Sequence, residues 1–262
     1  MPAIVDPSPL EFLRLVADPQ RWAILQELAR SDLRVNELTG LLGRPQNLVS
    51  YHLRELRDAR LVSSRRSSAD ARDTYYSVEL ARCAHLLSAT GETLHPGVRL
   101  VVAPTEPAAP GSRRRAPRVL FLCTGNSARS QIAEALVENR SAGTVEARSA
   151  GSHPKPLHPN AVRVMAERGV DISGRPTKSL SRFTRSRFAR VITLCDKVRE
   201  ICPDFPGAPI TAHWSIADPA TAGDSDKATY PAFQRVADEI EGRVALLLAD
   251  LRTRPLERTT RA

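Results

Sequence analysis

A proline-rich stretch divides this chain of 262 residues into two parts. From His95 to Arg118 the sequence reads HPGVRLVVAPTEPAAPGSRRRAPR, with five prolines and no helical or strand period after Val102. Such a segment is typical of a linker, and a chain of this length can bury two separate cores. We therefore expect a first domain over 1–95, a linker over 96–117, a second domain over 118–252 and a basic tail over 253–262.

The charge and the cysteine content limit the classes of function. The 38 Lys and Arg residues exceed the 29 Asp and Glu residues, which gives a formal net charge of +9 and favours nucleic acid or oxyanions as partners. We see neither a signal peptide after Met1 nor an apolar run long enough to span a membrane, so we expect a cytoplasmic protein without membrane contact. Four cysteines are too few for a secreted disulfide scaffold, and are instead structural, metal-binding or redox-active.

Residues 1–95 carry the pattern of a winged helix-turn-helix. Apolar residues three and four positions apart predict helices over 9–17 and 19–30, and a third helix over 35–42 that stops at Gly43. A fourth helix opens at Pro45, with Leu48, His52 or Leu53, and Leu56 on its buried face. The strand-like runs LVSSRR and DTYYSV follow it and predict a β-hairpin wing.

The polar side chains of the fourth helix and of the wing are candidate DNA contacts. They are hydrogen-bonding and cationic groups of the kind that read base edges and bind phosphates. The candidates are Gln46, Asn47, Ser50, Tyr51, Arg54, Arg65, Arg66 and Arg72. The alternative is a helical module that binds protein.

The predicted order is two helices, a helix-turn-helix, a wing and a further helix, with VSYHLRELRDARLV in the middle. Over about residues 9–92 this pattern resembles the winged-helix repressors of the arsenic-responsive regulator family. The resemblance implies a homodimer that forms through the N-terminal domain, binds an operator and is released by a metal or metalloid. The family's cysteine pair is missing, because Arg34 and Asn36 stand in the matching stretch DLRVNEL. Cys83, His85 and His95 do not make a closed shell, so we expect no metal site and a structural role for Cys83.

A cysteine lies six positions before an arginine in the second part of the chain. The apolar run 119–122 predicts a buried parallel strand, and CTGNSARSQIAEALVE predicts a tight loop that opens a helix. The loop N–H groups and the helix dipole can bind one tetrahedral oxyanion, Arg129 can bind two of its oxygens, and Ser130 favours the thiolate of Cys123 as nucleophile. The predicted oxyanion-binding loop consists of Thr124, Gly125, Asn126, Ser127, Ala128, Arg129 and Ser130.

Strands alternate with helices over 118–252, which predicts an α/β domain with a doubly wound parallel sheet. The segments CTGNSARSQ, RVITLCDKVREIC and HWSIADPA resemble the low-molecular-weight tyrosine phosphatase fold and, within it, the thioredoxin-coupled arsenate reductases. The resemblance implies that Cys123 forms an adduct with arsenate, Cys195 expels arsenite, and Cys202 leaves a disulfide with Cys195. Asp218 fits the acid of the phosphatases.

Two details favour the reductases, namely Gln131 after Arg-Ser and the sequence ATAGD, which lacks the paired tyrosines of the phosphatases. Ala128 departs from both branches, which commonly carry a cysteine there. If Cys195 and Cys202 lay two turns apart on a regular helix, about 10 Å would separate them, so the segment would have to unwind to form a disulfide.

Three functions remain open at this point. The first is an arsenate reductase fused to a DNA-binding regulator, with no bound cofactor and with thioredoxin or a low-molecular-weight thiol as reductant. The second is a transcriptional regulator whose phosphatase-fold domain senses an oxyanion or the redox state. The third is a low-molecular-weight protein tyrosine phosphatase.

Overall fold

The computed structural model describes residues 7–95, 98, 116–207 and 209–253. Contacts divide the chain into two compact units, residues 1–104 and 105–262. Nearly all of the expected linker and of the expected basic tail lies outside the described residues, so both remain expectations. No helix among the described residues has the length and apolar character needed to cross a membrane.

The N-terminal unit consists of short helices and a three-stranded antiparallel sheet. The elements are α1 (Pro9–Val16), α2 (Pro19–Leu28), β1 (Leu33–Arg34), α3 (Val35–Leu42), α4 (Gln46–Asp58), β2 (Val62–Arg66), β3 (Thr74–Val78) and α5 (Leu80–Leu94). Strand β3 lies between β1 and β2. The β2–β3 hairpin is the predicted wing, and α3 with α4 is the predicted helix-turn-helix.

Local sequence signals set most of these boundaries. Ser8 and Glu11 form a capping box on α1, and the Asp18 side chain accepts from the first amides of α2. Gly43 ends α3 in the left-handed region with φ of 60°. Helix α2 ends at Leu28, two residues earlier than expected.

Helix α4 packs on the core of the unit with one face. Val49, His52, Leu53 and Leu56 are buried on that face, whereas Leu48 is only half-buried. The prediction of Leu48 as a core residue was therefore wrong, because the helix is rotated so that its neighbour Val49 takes the core position.

The C-terminal unit is an α/β domain. Its elements are β4 (Arg118–Cys123), α6 (Arg129–Ser141), β5 (Glu146–Gly151), α7 (Pro159–Ala166), β6 (Arg190–Thr193), α8 (Asp196–Glu200), β7 (Ile210–His213) and α9 (Asp226–Thr253), with 3-10 turns at Leu180–Phe183 and Pro219–Thr221. The sheet has the order β5-β4-β6-β7, and every pair is parallel. This confirms the predicted fold class.

The topology places two cysteines at the same edge of the sheet. The chain order reverses at β4, because β5 lies on one side of it and β6 on the other. Ligands of open parallel sheets bind at such a switch point, outside the carboxyl ends of the strands. Cys123 ends β4 and Cys195 follows β6, and the register pairs Leu122 with Thr193.

Candidate active site

Three carbonyl groups of the loop after β4 accept hydrogen bonds from one neighbouring segment. The carbonyl oxygens of Thr124 and Gly125 accept from the N–H groups of His153 and Lys155 at 2.8 and 2.9 Å, and the Ser127 carbonyl accepts at 2.9 Å from His158. Because these carbonyls bind the 153–158 segment, the loop N–H groups are free to face the opposite side. The Asn126 N–H donates to Cys123 Sγ at 3.2 Å, as expected of a loop whose amides converge on an anion.

Gly151 holds a second strand against this loop. A Cβ at Gly151 would lie 2.7 Å from the Thr124 oxygen, 2.8 Å from the Asn126 nitrogen and 2.9 Å from the Gly125 carbonyl carbon. These are backbone atoms that cannot move aside without moving the loop. The end of β5 therefore requires glycine.

Asn126 holds the turn of the loop in place through the hydrogen bonds of its side chain. It has a left-handed backbone with φ of 47°, and its side-chain amide donates to Ser130 Oγ at 2.9 Å and to Ser149 Oγ at 2.8 Å. Its Oδ1 accepts from the Lys178 N–H at 2.7 Å. The buried carboxylate of Glu134 in turn accepts from Ser149 Oγ at 2.6 Å and from Lys178 Nζ at 2.8 Å. A buried hydrogen-bond network of this kind keeps the loop in one conformation.

Cys123 is buried at the end of β4, next to the first turn of helix α6. Its Sγ lies 2.9 Å from Ser130 Oγ, and the sulfur also accepts from the Asn126 N–H. The positive end of the α6 dipole faces the same region. These contacts hold the Cys123 sulfur within the loop, next to the first turn of α6.

Arg129 and Asp218 meet beside this loop. The buried Arg129 guanidinium donates from Nη1 to the Ile216 carbonyl at 2.8 Å and from Nη2 to Asp218 Oδ2 at 2.9 Å. A guanidinium carries five N–H donors, so three remain to bind an oxyanion. The predicted arginine follows the loop after β4 that begins at Cys123, and the predicted acid lies in the loop after β7. The hydrogen bond between Arg129 and Asp218 joins these two loops.

Cys195 lies next to the same loop from the neighbouring strand. It is 2% exposed, and its Sγ is 3.3 Å from Thr124 Oγ1, in a contact in which either atom can donate. Thr124 follows Cys123 directly in the chain. A second thiol therefore lies at the rim of the anion-binding loop.

Cys202 lies at the far end of a short helix. The helix α8 between the two cysteines has only 5 residues, Asp196–Glu200, so the two-turn helix considered from the spacing does not form. Cys202 is half-buried, and burial together with the charge of Asp204 raises the pKa of its thiol to about 11. All four cysteines are free thiols.

The predicted DNA contacts lie on the surface of the N-terminal unit. Every predicted contact on α4 is exposed, as are Arg66 and Arg72, whereas Arg65 is half-buried. Arg72 is ion-paired with Asp70 at 2.6 Å, and Arg66 donates to the Ala71 carbonyl at 3.0 Å. No cluster of three or more metal-ligating side chains occurs in the described parts of the chain.

Several residues of the site were not anticipated from the sequence. They are Gly151, Glu134, Ser149 and Lys178. Each reaches the site through a contact that is distant in the chain, and only a glycine at the end of a predicted strand could have pointed to one of them.

A cysteine and an arginine on a strand–loop–helix at the edge of a parallel sheet define an enzyme class that attacks a tetrahedral oxyanion with a thiolate. The chain belongs to the low molecular weight phosphotyrosine protein phosphatase family, whose model matches residues 118–256. Residues 18–64 match the model of bacterial regulatory proteins of the arsR family. The N-terminal unit thus carries a helix-turn-helix of that type.

Named relatives of the C-terminal unit include arsenate reductases. The one from Halalkalibacterium halodurans is 36% identical over 126 residues, which cover 48% of this chain and 91% of the relative. The one from Bacillus subtilis is 37% identical over 126 residues, with the same coverage of 48% and 91%.

Solved structures of both branches are similar to the chain. An arsenate reductase in the oxidized state matches with a TM-score of 0.46 and 29% identity, over 52% of this chain and 98% of the other. The YwlE arginine phosphatase from Geobacillus stearothermophilus matches with a TM-score of 0.45 and 26% identity, over 56% of this chain and 99% of the other.

Proposed function

We propose that the C-terminal unit is an arsenate reductase that uses Cys123, Cys195 and Cys202 in turn, in a protein whose N-terminal unit binds operator DNA. The observation that carries this proposal is the position of Cys195, buried and 3.3 Å from Thr124 Oγ1 at the rim of the loop of Cys123. Hydrolysis of a phosphate ester needs one cysteine, whereas reduction needs a second thiol within reach of the first.

In the first step the loop binds arsenate and Cys123 attacks arsenic. The amides of the loop and the free N–H groups of Arg129 hold the oxygens of the anion. The Cys123 thiolate forms an S–As bond, and one arsenate oxygen leaves as water after it is protonated. We propose Asp218, which accepts a hydrogen bond from Arg129, as the acid that supplies that proton.

In the second step the electrons move to arsenic. The Cys195 thiolate attacks Cys123 Sγ, the S–As bond breaks, and its electron pair stays on arsenic, which leaves as arsenite. The two sulfurs are oxidised by two electrons, and arsenic(V) is reduced to arsenic(III). In the third step the Cys202 thiolate attacks Cys195 Sγ and releases Cys123 as thiolate, so that the disulfide ends on Cys195 and Cys202.

The cycle closes when an external dithiol reduces the Cys195–Cys202 disulfide. The relay uses all three cysteines of the C-terminal unit, so the reductant is a separate thiol. We propose thioredoxin, with a low-molecular-weight thiol as the alternative.

The test is NADPH oxidation in the presence of arsenate, thioredoxin and thioredoxin reductase. We expect turnover by the wild type, loss of turnover in Cys195→Ser, and normal turnover in Cys83→Ser, which removes a thiol of the N-terminal unit. An aryl phosphate is assayed in parallel. Arsenate-independent NADPH oxidation, or equal rates in wild type and Cys195→Ser, would contradict the proposal.

The N-terminal unit offers an apolar surface for the proposed homodimer. Leu10 and Leu13 on α1 are 57% and 43% exposed, and Trp22 on α2 is 49% exposed. A second copy of the unit would bury these side chains, and we expect Leu13→Glu to give monomers in sedimentation equilibrium. A wild-type monomer would contradict the dimer.

Two other functions have specific support. Asp218 beside Arg129 is the acid that a tyrosine phosphatase requires, and cleavage of an aryl phosphate without arsenate turnover would favour that function. The N-terminal unit lacks the cysteine pair that binds the metalloid in the resembling repressors. Arg34 stands in that stretch and donates to Asp73 at 2.7 Å. A regulator of this kind would therefore need the C-terminal unit to supply its trigger. The latter function would appear as redox-dependent DNA binding without turnover of either substrate.

A further inference from the structure

A buried cluster of polar side chains lies behind the second relay cysteine. The Asp196 side chain is fully buried, and its Oδ1 lies 3.0 Å from His213 Nε2 and accepts from Ser215 Oγ at 2.8 Å. His213 Nδ1 lies 2.8 Å from Thr193 Oγ1 and 3.1 Å from the Thr193 carbonyl oxygen. We call Thr193, Asp196, His213 and Ser215 the Asp196 cluster.

The contacts of His213 tie a buried carboxylate to the neighbouring strands. A carboxylate only accepts hydrogen bonds, so the contact to Asp196 needs the N–H of His213 Nε2, whereas Nδ1 can accept from the Thr193 hydroxyl at 2.8 Å. Burial of a carboxylate costs desolvation energy, so the burial of Asp196 depends on these hydrogen bonds.

The Asp196 cluster joins three segments at the edge of the sheet where the proposed chemistry takes place. Thr193 ends β6, Asp196 is the first residue of α8 directly after Cys195, and His213 ends β7. The loop after His213 also supplies the Ile216 carbonyl and Asp218, which hold Arg129. The cluster therefore connects the backbone of Cys195 to the segment that anchors the guanidinium.

The third step of the proposed reaction makes opposite demands on the two ends of α8. Cys195 must stay near Cys123, with which it shares a disulfide, while Cys202 approaches it. That approach breaks backbone bonds within the segment, such as Arg199 N–H to the Cys195 oxygen at 3.2 Å and Cys202 N–H to the Arg199 oxygen at 3.3 Å. During this step the disulfide itself holds Cys195, so the contacts of Asp196 act earlier, when Cys195 attacks Cys123.

We propose that His213, through Asp196, positions Cys195 against the loop of Cys123 for its attack on the Cys123 sulfur. This inference rests on the proposed reductase function. The side-chain bonds of Asp196 to His213 and Ser215 hold the residue next to Cys195 without using the backbone ladder of α8. His213 is a positioning residue, because it touches neither the anion nor a reacting sulfur.

The test compares His213→Leu with His213→Gln in steady-state arsenate reduction. Glutamine places an amide N–H near the position of Nε2 and retains the bond to Asp196, whereas leucine retains only the volume. We expect kcat to fall at least about tenfold in His213→Leu with KM for arsenate unchanged, because a displaced thiol slows the attack without weakening anion binding. His213→Gln should recover most of the rate.

Further measurements separate positioning from folding. In the Cys202→Ser background, a single turnover releases arsenite through Cys123 and Cys195 alone, and His213→Leu should slow this release by a similar factor.

Alkylation of Cys123 by iodoacetamide, and its protection by inorganic phosphate, should match the parent in every variant. Ser215→Ala removes one bond to Asp196 and serves if His213→Leu does not fold, with a smaller decrease in kcat expected.

Two results would overturn the positioning role. One is a kcat in folded His213→Leu equal to that of the wild type, and the other is an equal loss in the Leu and Gln variants. A wild type that binds phosphate but reduces no arsenate would instead contradict the reductase function, and the positioning role would fall with it.

Discussion

At the scale of single residues, Gly151 is the position where the active-site loop has the least room. An added methyl group would lie within 2.9 Å of three backbone atoms of Thr124, Gly125 and Asn126. The loop must shift to make space, and a displacement of about 1 Å can cost about a hundredfold in rate.

We therefore expect Gly151→Ala to lower kcat/KM for arsenate by about a hundredfold. Gly174→Ala is the matched control, because a Cβ there meets nothing within 4 Å. Both variants are measured by coupled arsenate turnover, with circular dichroism to establish folding. Equal activity of the two variants would contradict the tight loop described here.

Cys202 is the residue whose chemistry depends most clearly on pH. Burial first, and then the charge of Asp204, raise the pKa of its thiol to about 11, so the reactive thiolate is scarce at neutral pH and increases as pH rises. We expect the alkylation rate of Cys202, followed by peptide mass spectrometry, to increase between pH 8 and pH 10, on the order of tenfold per pH unit below the pKa.

Asp204→Asn should increase that rate at a fixed pH, because it removes a negative charge that disfavours the thiolate. Asp224→Asn is the control, since Asp224 does not act on this thiol. A rate that is independent of pH would show that Cys202 is not held in the thiol form.

The sequence placed Cys123 and Arg129 in one loop because a strand, a turn and a helix start are all local signals. It could not place Glu134 and Lys178 beneath Asn126, because those contacts depend on how β5 and the loop before the 3-10 turn fold back. The Asp196–His213 pair is invisible for the same reason, as the two residues meet only when β6 and β7 lie side by side.

At the scale of elements, the predicted end of a helix agrees with the structure where a single capping residue determines it. Helix α3 has its predicted bounds because Gly43 takes the left-handed conformation that ends it. The last helix begins at Asp226, where the Ser225 side chain accepts from the Ala228 N–H at 3.2 Å, and Pro231 lies within this helix.

The wing is the element on which the DNA-binding proposal is most open to test. Arg65→Ala with Arg66→Ala should weaken operator binding and reduce the slope of log K against log salt by about one for each phosphate that the variant no longer neutralises. Arg72→Ala should have a smaller effect, because Asp70 already pairs with that guanidinium. Fluorescence anisotropy at several salt concentrations measures both, and unchanged binding of the double variant would remove the wing from the interface.

At the scale of the whole molecule, the two units bury separate hydrophobic cores. One core is built on the central strand β4 and the other on Leu38, Leu53 and Leu56. Two cores that share no residue are able to unfold independently. We propose on this basis that residues 1–95 and 116–262 fold as separate fragments.

Any influence of the reductase on DNA binding must then appear in the full chain alone. If the C-terminal unit regulates, oxidation of Cys195 and Cys202 should change operator affinity in the intact protein and leave the 1–95 fragment unaffected. Cys195→Ser in the full chain is the control, since it cannot form this disulfide. The same response in the full chain and in the fragment would contradict regulation by the C-terminal unit.

The central claim is that electrons reach arsenic from Cys123 and Cys195. The most direct measurement is a single turnover of Cys202→Ser with arsenate and no external reductant, quenched with an alkylating agent and analysed by peptide mass spectrometry. The account predicts one arsenite released per protein and a disulfide that joins the peptides of Cys123 and Cys195. Arsenite release with Cys195 recovered in alkylated form, or no arsenite from a correctly folded protein, would contradict it.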